Sequence, residues 1–153
     1  MRMSAAFIGF LCLGVASVNA DSTLLRADDA QVVAKGKEIY AAQCASCHGE
    51  NLEGQPNWRR PEEDGTFRAP PHDHSGHTWH HTDDILFGIT KFGTARFGNM
   101  KDFKSTMPVF EDILSDEEII AALSFIKAQW PEEIVLRHND MNKENKNPLT
   151  LKE

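Results

Sequence analysis

Apolar residues recur at helical spacing in three stretches of the chain. From Asp28 to Cys44, the residues Val33, Gly36, Tyr40 and Cys44 fall three or four positions apart on one face, which predicts a helix. Gly36 is costly inside a helix, and its place in the stripe marks close approach by another backbone. Near the other end, Ser115-Asp116-Glu117-Glu118 forms a capping-box pattern, and Ile119, Leu123, Ile126 and Trp130 follow on one stripe until Pro131 interrupts or ends it. These two helices are expected to cross, with Gly36 and Tyr40 packing near the apolar stripe of the second. A shorter helix is predicted from Thr82 or Asp83 to Phe92, capped by Thr82, stopped at Gly93, and turning Ile85, Leu86, Ile89 and Phe92 inward. No strand pattern has comparable strength, so the expected class is all-α. Residues Gly49 to His81 hold no sustained period and read as loop. A loop of this length in a compact domain is functional, or wraps something that replaces missing core. Beyond Pro131, Glu132 to Met141 is weakly amphipathic and suits a short helix, and Asn142 to Glu153 reads as a mobile tail.

The length of 153 residues, 41% hydrophobic and 25% charged, suits a single core. Residues 1–20 run from Arg2 through the apolar stretch Ala5 to Val18 and end in Val18-Asn19-Ala20, the pattern of a cleavable leader. The apolar stretch of about 14 residues falls short of the roughly 20 that a membrane-spanning helix needs. The expected organisation is a leader over 1–20, a domain over 21–131 and an extension over 132–153, partly helical and then flexible. Cys12 lies in the leader, preceded by Phe10-Leu11 in place of the small residues of a lipid-attachment site, so the mature chain keeps only Cys44 and Cys47. Arg2 is the leader's only charge. The mature chain therefore sets 15 Lys and Arg against 23 Asp and Glu, a balance of −8 where the whole chain has −7. Such a surface repels nucleic acid and favours partners with a basic docking patch, and the same acidity also serves solubility.

Cys44-Ala45-Ser46-Cys47-His48 fits the C-x-x-C-H pattern of covalent haem attachment. Two intervening residues let both thiols reach one edge of a porphyrin, and the histidine directly after the second is placed to ligate the iron. Three other readings stand beside this one: a plain disulfide, a thioredoxin-like redox pair, and zinc held by Cys44, Cys47 and two histidines of the His72–His81 stretch. For a second axial ligand the mature chain offers Met100, Met107 and Met141. Met107 is the expected one, because Pro108 fixes the backbone after it and a short loop joins it to the capped final helix; Met100 is the alternative.

With Gly49 after His48, and Met107-Pro108-x-Phe110 followed by Leu114-Ser115-Asp116-Glu117-Glu118-Ile119, the chain resembles class I bacterial cytochromes c from roughly Val32 to Pro131. The resemblance implies an all-α domain whose N- and C-terminal helices cross over one covalently attached haem c. It implies Cys44 and Cys47 as the thioether positions, His48 and Met107 as the axial ligands, and periplasmic transfer of single electrons between redox proteins, without catalysis. The rival reading is a haem protein with a labile sixth position, an enzyme or a sensor.

His72, His74, His77, His80 and His81 exceed the minimal pattern. The plainer expectation is that they hydrogen-bond within the loop and stack beside Trp79. The alternative is copper binding by the His72–His81 loop, an added function of the same electron carrier. Arg59, Arg60 and Arg68, with the indoles of Trp58 and Trp79, are candidate partners for haem propionates.

Overall fold

The computed structural model describes residues 23–145. The leader expected over 1–20, with Cys12, and the end of the tail, 146–153, lie outside them. The described residues are mainly helical, as expected. Helix α1, Ala30–Gln43, starts where the Asp29 carboxylate accepts the N–H groups of Gln31 and Val32 at 2.9 and 3.2 Å. Helix α2, Ala45–His48, follows directly after Cys44. Helices α3, Asp83–Phe92, and α4, Thr94–Phe97, come after the long loop, and α5, Asp116–Ala128, and α6, Glu132–Glu144, complete the order. The loop also carries a 3-10 turn at Thr78–His80 and a two-residue strand β1, Thr66–Phe67, parallel to β2, Lys104–Ser105.

Helix α5 carries the expected capping box in both directions: Ser115 Oγ accepts the Glu118 N–H and the Glu118 carboxylate accepts the Ser115 N–H. It is buried on more than the one predicted stripe, because Ala121, Ala122, Ser124 and Lys127 are covered as well. A helix with covers on several sides sits at the centre of its domain. One cover is α1. A Cβ on Gly36 would lie 1.9 Å from the Ala121 carbonyl oxygen, so the glycine is what lets the two backbones touch. One turn on, the rings of Tyr40 and Phe125 sit 5.4 Å apart.

Helix α3 has the predicted limits but a different cap and a different inner face. The hydroxyl of Thr82 is buried and makes no hydrogen bond, so it does not cap the helix. The first N–H of the helix, that of Asp83, donates to the side-chain oxygen of Asn142 at 2.8 Å. The buried positions are Asp83, Leu86, Phe87 and Gly88. The Phe97 ring lies where a Gly88 side chain would be, and Ile85, Ile89 and Phe92 are only partly covered.

Helix α6 is docked by polar groups. His138 is fully buried; its Nε2–H donates to the His81 carbonyl at 2.8 Å, and its ring meets the edge of Trp130 at 5.0 Å. Burial, and then the nearby Lys127 ammonium, push its pKa below the usual histidine value, against the opposing pull of Asp83 and the His81 carbonyl. The unfolded chain therefore takes up a proton that native His138 refuses as pH drops below about 6.5. Stability is fully present above that pH and declines below it. The urea midpoint of the haem-loaded protein is expected to fall between pH 7 and pH 5, with a shallower slope in His138→Gln; a midpoint that rises over this interval contradicts the assignment.

Candidate functional site

The end of α1 and the single turn of α2 place Cys44, Cys47 and His48 at i, i+3 and i+4, which puts them on one side of the chain. The N–H groups of Cys47 and His48 both donate to the Cys44 carbonyl, at 3.1 and 2.9 Å. Both cysteines are free thiols, Cys44 half-buried and Cys47 exposed. Burial, with a smaller contribution from Cys47, pushes the Cys44 thiol up to about 11. That is opposite to the depressed value of a thioredoxin-like nucleophile.

His48 is buried and its Nδ1 lies 2.9 Å from the carbonyl oxygen of Pro70. A carbonyl only accepts, so Nδ1 carries the proton and Nε2 keeps its lone pair for a metal. Burial lowers the His48 pKa, partly offset by the Pro70 carbonyl, which favours the neutral, ligating ring. The local sequence explains how Pro70 arrives there. Gly54 has φ +67°, donates its N–H to the His48 carbonyl at 2.7 Å, and leaves room for the Pro71 backbone nitrogen 2.4 Å from where a Cβ would stand. Gln55 then bonds Ala69 through backbone and side chain, at 2.9 and 3.0 Å. On the other side, the buried Tyr40 donates its hydroxyl to the Gly49 carbonyl at 2.8 Å, tying α1 to the chain leaving His48. Burial raises the phenol's pKa, so it remains a donor.

Met107 stands on a separate segment. Its backbone N–H donates to Ser105 Oγ at 3.0 Å, directly after the pairing of β2 with β1. Phe110, three residues on, is buried in the core and bonds its N–H to the Thr90 carbonyl. The Met107 side chain packs against the main core cluster, as does Cys44, whereas Met100 is 50% exposed. Met141 lies on α6.

The loop histidines lie mostly against different rings, although His77 and His81 meet each other edge-on at 5.4 Å. His72 stacks on His48, His77 stacks on Trp58 at 5.1 Å, and His80 meets Trp79 at 3.8 Å. Among the described residues no group of three or more His, Cys, Asp or Glu side chains is arranged to hold a metal ion, which leaves the zinc and copper readings without a ligand set. Burial first, and then the His48 and His77 rings, hold His72 well below the ordinary histidine value. Arg68 is committed to Glu62 and the Pro56 carbonyl, Arg59 lies over the Trp58 ring at 4.1 Å, and the Trp79 indole donates to the His74 carbonyl. The cleft lined by Asn57, Trp58, Arg59 and Arg60, about 340 Å³, contains none of the sulfur donors and not His48. The donor set places the chemistry, not the cleft.

The residues fit a covalently held haem: two free thiols beside one oriented, neutral imidazole, and a thioether packed on the same core. The sequence reading missed Pro70 as the partner of His48. A Pro-Pro pair lacks N–H groups and so offers only carbonyls, yet nothing in the sequence says that Pro70 faces a residue 22 positions earlier. A family model described as Cytochrome c matches residues 33–130. No curated protein and no solved structure matches the chain.

Proposed function

The chain belongs to the cytochrome c family, and on that premise we propose that it is a periplasmic, single-haem carrier of the class I type, with His48 and Met107 as axial ligands of the iron. Membership makes it a haem c electron-transfer protein, with the haem attached covalently. Bound there, haem supplies an iron that accepts and releases one electron.

The observation that carries the proposal is the His48 ring, buried, pinned through Nδ1 to Pro70 and free at Nε2, one residue after a free thiol. The Pro70 bond fixes the tautomer and makes Nε2 a stronger donor. Cys44 and Cys47 hold the group on the same helical turn, so it cannot leave with its electron. Met107 adds a thioether, which favours the reduced iron and raises the potential. The leader pattern over 1–20 supports export, and two cysteines tied up by haem suit an oxidising compartment. The net charge of −7 supports redox partners that dock through basic patches. Among the described residues no helix is long and apolar enough to cross a membrane.

Two substitutions test the axial assignment. Met107→Ala is expected to lose the sulfur-to-iron absorption band and to bind carbon monoxide readily, while Met100→Ala keeps the wild-type spectrum. The reverse pattern transfers the ligand role to Met100; carbon monoxide binding by the unmodified protein would point to an enzyme or sensor.

A further inference from the structure

One more ring is built against the proximal ligand. We infer that His72 is a positioning residue for His48: its imidazole lies face to face with the His48 ring and sets the plane in which Nε2 meets the iron. The inference rests on His48 being an iron ligand.

The Pro70 carbonyl holds His48 at one atom, Nδ1. A single bond at one edge leaves the ring able to rock about the line of that bond, so the plane needs a second restraint acting on its face. His72 supplies it, with ring centroids 4.0 Å apart and planes inclined by 20°. At that spacing, rocking drives His48 atoms into contact with the neighbouring ring, where the packing potential rises steeply.

A wall constrains only if it is itself fixed, and His72 is tied at its ring and at both of its backbone groups. Its Nδ1 lies 2.8 Å from the hydroxyl of buried Thr78, which also reaches the Pro71 carbonyl at 3.4 Å. Its backbone N–H donates to the Leu52 carbonyl at 2.8 Å, and its own carbonyl accepts the Trp130 indole N–H at 2.8 Å. Leu52 and Trp130 both belong to the core cluster. Gly76 lets this loop close, since a Cβ there would stand 2.0 Å from the Pro71 carbonyl oxygen. An aliphatic side chain at 72 would fill the same space. What it would lack is the flat face and the Nδ1 bond that together fix an angle.

The angle of an axial imidazole decides which iron orbitals it overlaps, and the proton spectrum of the ferric haem reads it through the spread of the ring-methyl shifts. The test compares haem-loaded wild type with His72→Ala, His72→Phe and Thr78→Val. His72→Ala is expected to rearrange the methyl shifts most. His72→Phe keeps a ring face without the Nδ1 bond, and Thr78→Val keeps the histidine without that bond, so both move the shifts less. Unmoved shifts in His72→Ala overturn the inference even if its stability falls, because a role in packing alone predicts that pair of results. Should His72→Ala fail to load haem, Thr78→Val decides, and an unmoved pattern there overturns it. Wild-type protein without low-spin, histidine-ligated iron would instead defeat the reading of His48, and the inference with it.

Discussion

Gly36→Ala is expected to destabilise the haem-loaded protein by about 2 kcal/mol, although the same exchange in an exposed helix would stabilise it by about 1 kcal/mol. The sign is decided by contact. The new methyl would sit 1.9 Å from the Ala121 carbonyl oxygen and 2.9 Å from the Phe125 Cβ. Neither is the loose end of a flexible side chain, so α1 and α5 must move apart. That separation would also strain the Tyr40–Phe125 contact and shift Cys44 at the end of α1. Thermal unfolding should report a Tm lower by roughly 6–10 °C, and the ratio of haem to protein in purified material should fall. A variant as stable as wild type would show that the helices have slack at this crossing.

Asp83→Ala should cost more, about 3–5 kcal/mol, because it removes a buried carboxylate that faces a buried cation. Asp83 and Lys127 are each 2% exposed, with Oδ1 and Nζ 3.7 Å apart, and His138 Nδ1 stands at the same distance from that oxygen. The second carboxylate oxygen accepts the Leu25 N–H at 3.0 Å, so the substitution also strands a buried donor. An intact buried pair can add little net stability, while a broken one is expensive, and the double variant separates these two statements. Asp83→Ala with Lys127→Met should cost less than the two single substitutions added together. Urea denaturation of the four proteins measures this. A single-variant cost below about 1 kcal/mol would mean that the pair is effectively solvated.

Local rules carried much of this fold. The Ser115–Glu118 box and the stop at Gly93 each depend on residues within one or two turns, and the glycine in the α1 stripe marks a close approach without naming its distant partner; each stands where the pattern put it. The failures are long-range. Thr82 is a good cap by type, but its hydroxyl stays unbonded while α6 brings Asn142 to the helix's first N–H, that of Asp83, and a contact across 59 residues leaves no periodic trace. Lys127 reads as a surface residue until Asp83 and His138 are seen beside it. The site divides the same way. Cys44, Cys47 and His48 are legible because the chemistry needs them within five positions, whereas the Pro70 carbonyl and the His72 ring come from a loop with no period. His72 is expected to hydrogen-bond within the loop and stack beside Trp79; it does bond Thr78, but its ring lies flat on that of His48.

The central claim is that the iron is closed by His48 on one face and Met107 on the other, so that electrons pass and substrates do not bind. The visible spectrum of the haem-loaded protein, oxidised and reduced, with and without carbon monoxide, tests it most directly. The account predicts a low-spin spectrum with a long-wavelength sulfur-to-iron band in the oxidised form and no change with carbon monoxide. A reduced spectrum that shifts readily on adding carbon monoxide would contradict it.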